Sequence, residues 1–498
     1  MKLLFATAEL APLAQSGGLG DAVAGLAHAL GARGHQVTCV LPAYPFARDA
    51  YAGLVARGDA PALTDAGTVS IPFSFGSLHA RWLRGSLGVG VTVELLDAPQ
   101  LYDRPGLYGH TDDALRFIAL SRAASYRCDA IRPDVLVAHD WHAALAIGVL
   151  RTALDRGVNR GIGGVQVIHS NAYQGRFPRS AMALTGLPAE LFHPEGVEAW
   201  GELCLLKAGI EWADRIVAVS PTYAQEIQTS ELGEGLDGAY RARSHRLSGI
   251  ANGIDASRFD PANDPALSAP FDARRPGGKR ICRQAVSQEL GLDEALPGRF
   301  CVAIGRFAAQ KGWDVLADAL DRLVDQGCVV GLLGDGNPTL AALVQAGAAR
   351  HPGRVTLRTG YDEGLARRLY AGADCVLIPS RFEPCGLVQR IAQRYGAVPV
   401  AHRVGGLADT IEDPGFDPKG GLRALSTAEE RRATGIFVSP LTPDALAAAV
   451  ARVGQLGDAG KLEAMQRRLL RLDVSWAKPA AQWERLLETT AHEAQGRL

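Results

Sequence analysis

Short apolar runs recur along the chain, each closed by Gly, Pro, Asp, His or Ser and followed by a longer alanine- and leucine-rich stretch with helical spacing. That alternation predicts βα units, and the unbroken apolar character of the short runs predicts parallel strands covered on both faces. In the first half, strands are expected at Lys2–Ala6, Gln36–Leu41, Val91–Asp97, Val135–His139, Val165–His169 and Arg215–Val219. The rhythm restarts at Arg299–Ile304 and continues through Val329–Leu333, Val355–Thr359, Cys375–Pro379, Pro399–His402 and Gly435–Val438. Two Rossmann-like, doubly wound parallel-sheet domains of the α/β class follow. Between them, residues 248–298 carry FDPANDPALSAPFDARRPGG, rich in turn formers and poor in periodicity, where the domain connection is expected. The expected organisation is an N-terminal domain over 1–248, a C-terminal domain over 249–476 and an amphipathic helix over 477–498.

Composition narrows the picture. A chain of 498 residues exceeds one ordinary core, and 47% hydrophobic against 21% charged residues excludes disorder. Lysine plus arginine (52) nearly cancels aspartate plus glutamate (53), so no global field would draw the chain to nucleic acid or to an anionic membrane. An anionic ligand must be met by a local cluster. The eight cysteines are scattered through apolar runs without the spacing of a zinc site or redox dithiol, which predicts buried, reduced thiols. The opening MKLLFATAELAP is too short for a signal peptide's apolar core, and no later stretch reaches spanning length. A cytoplasmic location is expected.

Open parallel sheets bind ligands beyond the carboxyl ends of their strands. Three segments at such positions carry candidate chemistry. In QSGGLGD, Gln15 to Asp21, the adjacent Gly17 and Gly18 let the backbone approach a ligand, and the following helix offers free N–H groups to a diphosphate; a ligand-free turn explains the glycines equally well. In GRFAAQKG, Arg306 and Lys311 have no obvious local carboxylate and could hold a leaving diphosphate, although such cations are commonly just exposed. In SRFEPCGLVQ, Glu383 precedes Pro384 at a strand-to-helix junction, so its carboxylate could meet sugar hydroxyls, with the N–H groups of Cys385, Gly386 and Leu387 at the helix start. A helix-capping glutamate is the plainer alternative. His169 ends one predicted strand, and His139, Asp140 and His142 end another, placing histidines where they could bind a hydroxyl. Their spacing is not a metal-ligand pattern, and no metal is expected.

Taken together, QSGGLGD, AHDWHAAL, SNAYQG, LLKAGIEWADRIVAVSPTYAQEI, GIANGIDASRFDPANDP, QKGWD, SRFEPCGL and YGAVPVAHRVGGLADTIED resemble the bacterial glycogen synthase and plant starch synthase family, in order from about Phe5 to Trp476. The resemblance implies the GT-B fold, two Rossmann-like domains facing a cleft, with the last helix returning to the N-terminal domain. It implies transfer of glucose from ADP-glucose to the non-reducing end of an α-1,4-glucan such as glycogen, with retention of configuration and no cofactor. It also implies that His169 contacts the glucosyl group, Arg306 and Lys311 the donor phosphates, and Glu383 the glucosyl hydroxyls. Asp21, Asp140 and Asn252 would line the donor or acceptor side, and Tyr361 in TGYDE would lie by the adenine-bearing end.

Two positions depart from the family's pattern. Gln15 stands where Lys opens Lys-x-Gly-Gly-Leu, and Val388 stands where a threonine follows EPCGL. Each removes a group expected near the donor phosphates. A retaining transferase making maltose 1-phosphate or a sucrose-type product, or a weakly active glucan-binding paralogue, remains the alternative.

Overall fold

The computed structural model describes residues 1–152, 161–293, 298–417, 421–422, 427–458 and 460–497. They form two compact units, Met1–Asn252 with Trp476–Leu498, and Gly253–Ser475.

In the first unit the strands are β1 (Lys2–Ala6), β2 (Gln36–Pro42), β3 (Thr64–Phe73), β4 (Gly76–Ser86), β5 (Val91–Asp97), β6 (Val135–His139) and β7 (Gly163–Ile168). A small antiparallel sheet of β8 (Arg176–Phe177), β9 (Glu198–Ala199) and β10 (Glu202–Cys204) follows, then β11 (Arg215–Ala218) and β12 (Leu247–Gly249). Among the described residues the main sheet has nine strands in the order β12-β11-β7-β6-β1-β2-β5-β4-β3. Its six predicted strands are all present and mutually parallel, with β1 central and fully apolar inside, so Phe5 pairs with Cys39 on one side and Val137 on the other. The wholly parallel expectation is corrected at one edge, where β3 and β4 form an antiparallel hairpin that continues onto β5. Strand β3 is exposed at most positions and therefore lacks the unbroken apolar run by which a doubly covered strand is recognised. Chain order reverses between β1 and β6, which is a topological switch point.

The second unit holds β13 (Phe300–Phe307), β14 (Val329–Gly336), β15 (Val355–Thr359), β16 (Cys375–Ile378), β17 (Val398–His402), β18 (Phe416–Asp417), β19 (Gly421–Leu422) and β20 (Ile436–Val438). Among the described residues its main sheet has six parallel strands, ordered β15-β14-β13-β16-β17-β20. Alternate residues of β13 enter opposite cores: Cys301 and Ala303 join the cluster with Trp313 and Leu320, whereas Phe300 and Val302 join the one with Phe271 and Leu369. The sheet is thus covered on both faces, as its apolar runs require. Here the switch point falls between β13 and β16. Those two strands pair only at Cys301↔Cys375 and Val302↔Val376, whereas β13 and β14 pair along their whole length, so the ends of β13 and β16 are free to separate.

The Pro- and Asp-rich stretch expected to connect the domains is itself folded within this unit. Ile254, Phe271 and Ala273 are buried, and a helix at Gly278–Leu290 buries Lys279, Cys282, Val286 and Leu290 at spacings of three and four. The final helix, Ala477–Gln495, buries Trp483, Leu487 and Ala491 against β7 and the helix Gly18–Ala32 of the first unit. All eight cysteines are free and buried. Cys301 and Cys375, cross-strand neighbours, bring their sulfurs to 3.3 Å, a proximity that their separation in sequence hides. Among the described residues no helix is long and apolar enough to cross a membrane.

Candidate active site

Each switch point gathers chemistry at the ends of its two flanking strands. In the second unit, β13 ends at Phe307 and leads through a single turn, Ala309–Lys311, into the helix Trp313–Asp325. The Trp313 indole N–H donates to the Arg306 carbonyl at 2.7 Å, fixing the backbone there, while the Arg306 side chain is exposed and makes no ion pair among the described residues. Gly312 has φ +68°, and a Cβ there would lie 2.0 Å from the Pro379 carbonyl oxygen, so only glycine lets the turn after β13 approach the end of β16.

Beyond β16, the loop Ser380–Leu387 turns back onto that lysine. Lys311 Nζ lies 2.6 Å from Glu383 Oε2, which also accepts from Ser380 Oγ at 3.0 Å. This corrects the sequence expectation that Lys311 lacks a carboxylate: its partner is 72 residues away in the chain. Two more bonds lock the two loops together, Arg381 N–H to the Gln310 carbonyl at 2.8 Å and Gln310 Nε2 to the Phe382 carbonyl at 3.0 Å. Glu383 is 7% exposed, and its second oxygen has no protein partner among the described residues yet is not sealed from solvent. The loop then passes buried Cys385 and Gly386, whose φ of +72° again suits glycine, to Leu387, which begins the helix Val388–Arg394 without a side-chain cap. A carboxylate, a primary ammonium, an exposed guanidinium and an uncapped helix start therefore share one sheet end. Tyr361, 81% exposed, follows the edge strand β15, which β14 separates from β13.

In the first unit, the segment after β1 folds over one buried carboxylate. Glu9, 3% exposed, accepts from Ser16 N–H at 2.8 Å, Ser16 Oγ at 2.6 Å and Tyr108 Oη at 2.7 Å, and so anchors the glycine loop. Sequence reasoning passed over Glu9; its position three residues past the strand end, ahead of the glycines, was the available signal. Gln15 Nε2 donates to Asp21 Oδ2 at 2.5 Å, closing the loop over Gly17 and Gly18 at the start of the helix.

Across the switch, Asp140 follows β6 with φ +55°, a conformation that Asp and Asn tolerate best among residues with a side chain. Its Oδ1 accepts the N–H groups of His169, at 2.7 Å, and Ser170, at 3.2 Å, tying the end of β6 to the end of β7. Burial nevertheless outweighs those donors and pushes the carboxyl up to about 7. His169 is the first residue past β7, and its Nε2 lies 3.0 Å from His139 Nδ1. Burial lowers His169 to about 3 and holds His139 well below the usual imidazole range, so both rings are neutral at pH 7. His142 instead packs against Trp141 and Tyr108, with ring centroids at 4.0 and 4.8 Å. No group of three His, Cys, Asp or Glu residues among the described residues is arranged to hold a metal ion. Nearby, Trp141, Tyr173, Gln174 and Phe177 line a recess of about 370 Å³. Asn252, buried, follows the edge strand β12, which β11 separates from β7.

Comparison with known proteins agrees with both halves of this description. Residues 2–242 match the starch synthase catalytic domain family, and residues 298–455 match the glycosyl transferases group 1 family. A glycogen synthase of Methylocella silvestris is 40% identical, with 99% of each chain covered. One from Rhodopseudomonas palustris strain BisA53 is 39% identical, covering 98% of this chain and 96% of the other. The solved catalytic domain of starch synthase IV from Arabidopsis thaliana, bound to ADP and acarbose, superposes with a TM-score of 0.87 at 29% identity over 99% of both chains. A sucrose-phosphate synthase of Thermosynechococcus elongatus, at 18% identity and a TM-score of 0.60, shares the fold alone. With two Rossmann-like units and relatives matched along their entire length, the chain belongs to the glycogen synthase and starch synthase family of GT-B glycosyltransferases.

Proposed function

We propose that the chain transfers glucose from ADP-glucose to the non-reducing end of an α-1,4-glucan, with retention of configuration. The observation that carries this reading is the Lys311–Glu383 pair at the switch point of the second unit, in a chain matched end to end by glycogen synthases. The starch synthase IV structure is bound to ADP and acarbose, and ADP is the nucleoside diphosphate that ADP-glucose would release.

In this reading Lys311, with one N–H engaged by Glu383, turns its remaining donors to the diphosphate, and Arg306 supplies the second cation. Glu383 uses its unpartnered oxygen for a glucosyl hydroxyl near the reacting carbon. The bond from that carbon to the phosphate oxygen breaks with its electron pair leaving on the diphosphate, where the cations stabilise the charge. The acceptor hydroxyl bonds to the carbon from the same face and gives its proton to the departing phosphate oxygen. Glu383 Oε2 is shared between Lys311 and Ser380, an arrangement suited to charge stabilisation and not to covalent attack. His169 contacts the glucosyl group, Gln15, Gly17, Gly18, Asp21, Asp140 and Asn252 serve the donor or acceptor side, Cys385, Gly386 and Leu387 present backbone N–H groups, and Tyr361 holds the adenine end. The enzyme acts in the cytoplasm.

The test is incorporation of labelled glucose into glycogen from ADP-glucose and from UDP-glucose, by the wild type and Glu383→Ala. Extension by the wild type and a loss of about 10²-fold or more in the variant, with an unchanged unfolding profile, are expected. Near-normal turnover of the variant would remove Glu383 from the mechanism, and no chain extension would overturn the function.

A further inference from the structure

We propose that His139, which touches no substrate, is a positioning residue that fixes the proton of His169 on Nδ1, so that His169 meets the sugar as a hydrogen-bond donor. The proposal rests on the reading that His169 contacts the glucosyl group, but its first test does not.

His139 is 1% exposed, and its Nε2 is sealed from solvent with no hydrogen-bond partner among the described residues. The Phe5 ring, itself fully buried, lies against it with centroids 5.0 Å apart and planes inclined at 60°. A neutral imidazole has one N–H and one lone pair, and their placement is set by the partners of the two nitrogens. With the proton on Nε2, a buried donor would be left without an acceptor, which costs the desolvation of that N–H. With the proton on Nδ1, that N–H is used in the 3.0 Å contact to His169 and only a lone pair is left unmatched. The second arrangement is favoured, so His139 Nδ1–H donates to His169 Nε2.

The consequence passes to the next ring. His169 Nε2 is now an acceptor, and the single proton of that neutral ring resides on Nδ1. Nδ1 has no protein partner among the described residues, and His169 is only half-buried, so this nitrogen is the one open to a ligand. The backbone of His169 is independently fixed by its N–H bond to Asp140 Oδ1 at 2.7 Å, so orientation and proton placement have separate sources. An imidazole free to exchange tautomers would offer a sugar hydroxyl a donor part of the time and a competing acceptor otherwise.

The test uses the whole protein labelled with ¹⁵N-histidine and long-range ¹H–¹⁵N correlation spectra, the His169 signals being identified by their loss in His169→Asn. The wild type without ligand is expected to show a pyrrole-type Nδ1 and a pyridine-type Nε2 at His169. In His139→Leu the two nitrogens should move toward averaged shifts, and kcat should fall about tenfold with the donor KM nearly unchanged, as for an interaction realised at the transition state. His139→Asn, whose amide can replace the lost donor, should restore both the spectrum and most of kcat. A wild-type His169 protonated at Nε2, or an unaltered His169 tautomer in His139→Leu, overturns the proposal. If the wild-type tautomer is as stated and His139→Leu leaves kcat unchanged, the positioning role is wrong although the hydrogen bond is right. If no glucosyl transfer is found in any variant, the functional reading fails and the spectra still decide the tautomer.

Discussion

Removing either member of the Lys311–Glu383 pair breaks the same 2.6 Å contact, yet the two truncations should differ in stability and converge in activity. Lys311→Ala leaves Glu383, 7% exposed, with Ser380 Oγ as its only side-chain partner among the described residues. A nearly buried carboxylate stripped of its cation costs about 1–3 kcal/mol. Glu383→Ala leaves a lysine whose side chain is 24% exposed and whose flexible stem can return the ammonium to water, a cost of about 0–1 kcal/mol. Urea unfolding should therefore rank Lys311→Ala as the less stable variant. For activity, each truncation removes a charged group from the proposed transition-state contacts, about 3 kcal/mol or roughly 10²-fold in kcat/KM. If the effects were independent, the double variant would lose about 6 kcal/mol, near 10⁴-fold. Because each residue orients the other, about 1–2 kcal/mol of coupling is expected, bringing the double variant to roughly 10³-fold. Stopped-assay kcat/KM for the four proteins closes the cycle. Additivity within about 0.5 kcal/mol, or a Glu383→Ala variant less stable than Lys311→Ala, would refute the coupled arrangement.

Other consequences are open to direct measurement. Asp140 is raised from 3.8 to about 7 by burial, so the native state holds an extra proton between those values, and this residue's contribution to stability must decline as pH rises from about 4 through 7. Asp140→Asn keeps an acceptor for the His169 and Ser170 N–H groups and tolerates φ +55°; its melting temperature relative to wild type should rise between pH 5 and 8, and a constant difference would show that burial does not govern this carboxyl. Gln15→Lys would turn the 2.5 Å contact with Asp21 into an ion pair and restore a cation at the glycine loop; the KM for ADP-glucose should fall by about tenfold, and an unchanged KM would detach Gln15 from donor binding. Gly312→Ala forces a methyl to within 2.0 Å of the Pro379 oxygen at positive φ, so the main chain must shift; a loss of about 2–4 kcal/mol in the unfolding of the second unit is expected, and a loss under about 1 kcal/mol would mean that the turn relaxes freely.

What could be read from sequence divides along physical lines. The twelve apolar runs proposed as strands are strands, because a parallel strand covered on both faces must be apolar throughout and leaves a local signature. The hairpin β3–β4 left no such trace, since β3 is mostly exposed and β4 interrupts buried Ala80 and Trp82 with exposed Arg81. The helix Gly278–Leu290 was hidden by the turn formers before it, although Cys282, Val286 and Leu290 keep helical spacing. The candidate residues were found as segments following strands, and the switch points explain why those segments matter. Their partners were not legible: Lys311 to Glu383, His139 to His169 and Cys301 to Cys375 are contacts between separate strand ends or adjacent strands, created by strand order, which no single segment encodes. Glu9 escaped for a related reason, as an isolated acid gives no motif until Ser16 and Tyr108 converge on it.

The first unit is built from two separated pieces of chain, with the whole second unit inserted between Asn252 and Trp476. A ribosome therefore releases everything needed to complete the second unit before it supplies the closing piece of the first. Until Trp476 reaches the helix Gly18–Ala32, where Gly25 leaves no room for even a methyl beneath its indole, and until Trp483 and Leu487 cover β7, the nascent first unit carries an uncovered apolar face. Chaperone dependence during synthesis, and aggregation of a fragment ending at residue 252, are the natural costs of that chain order.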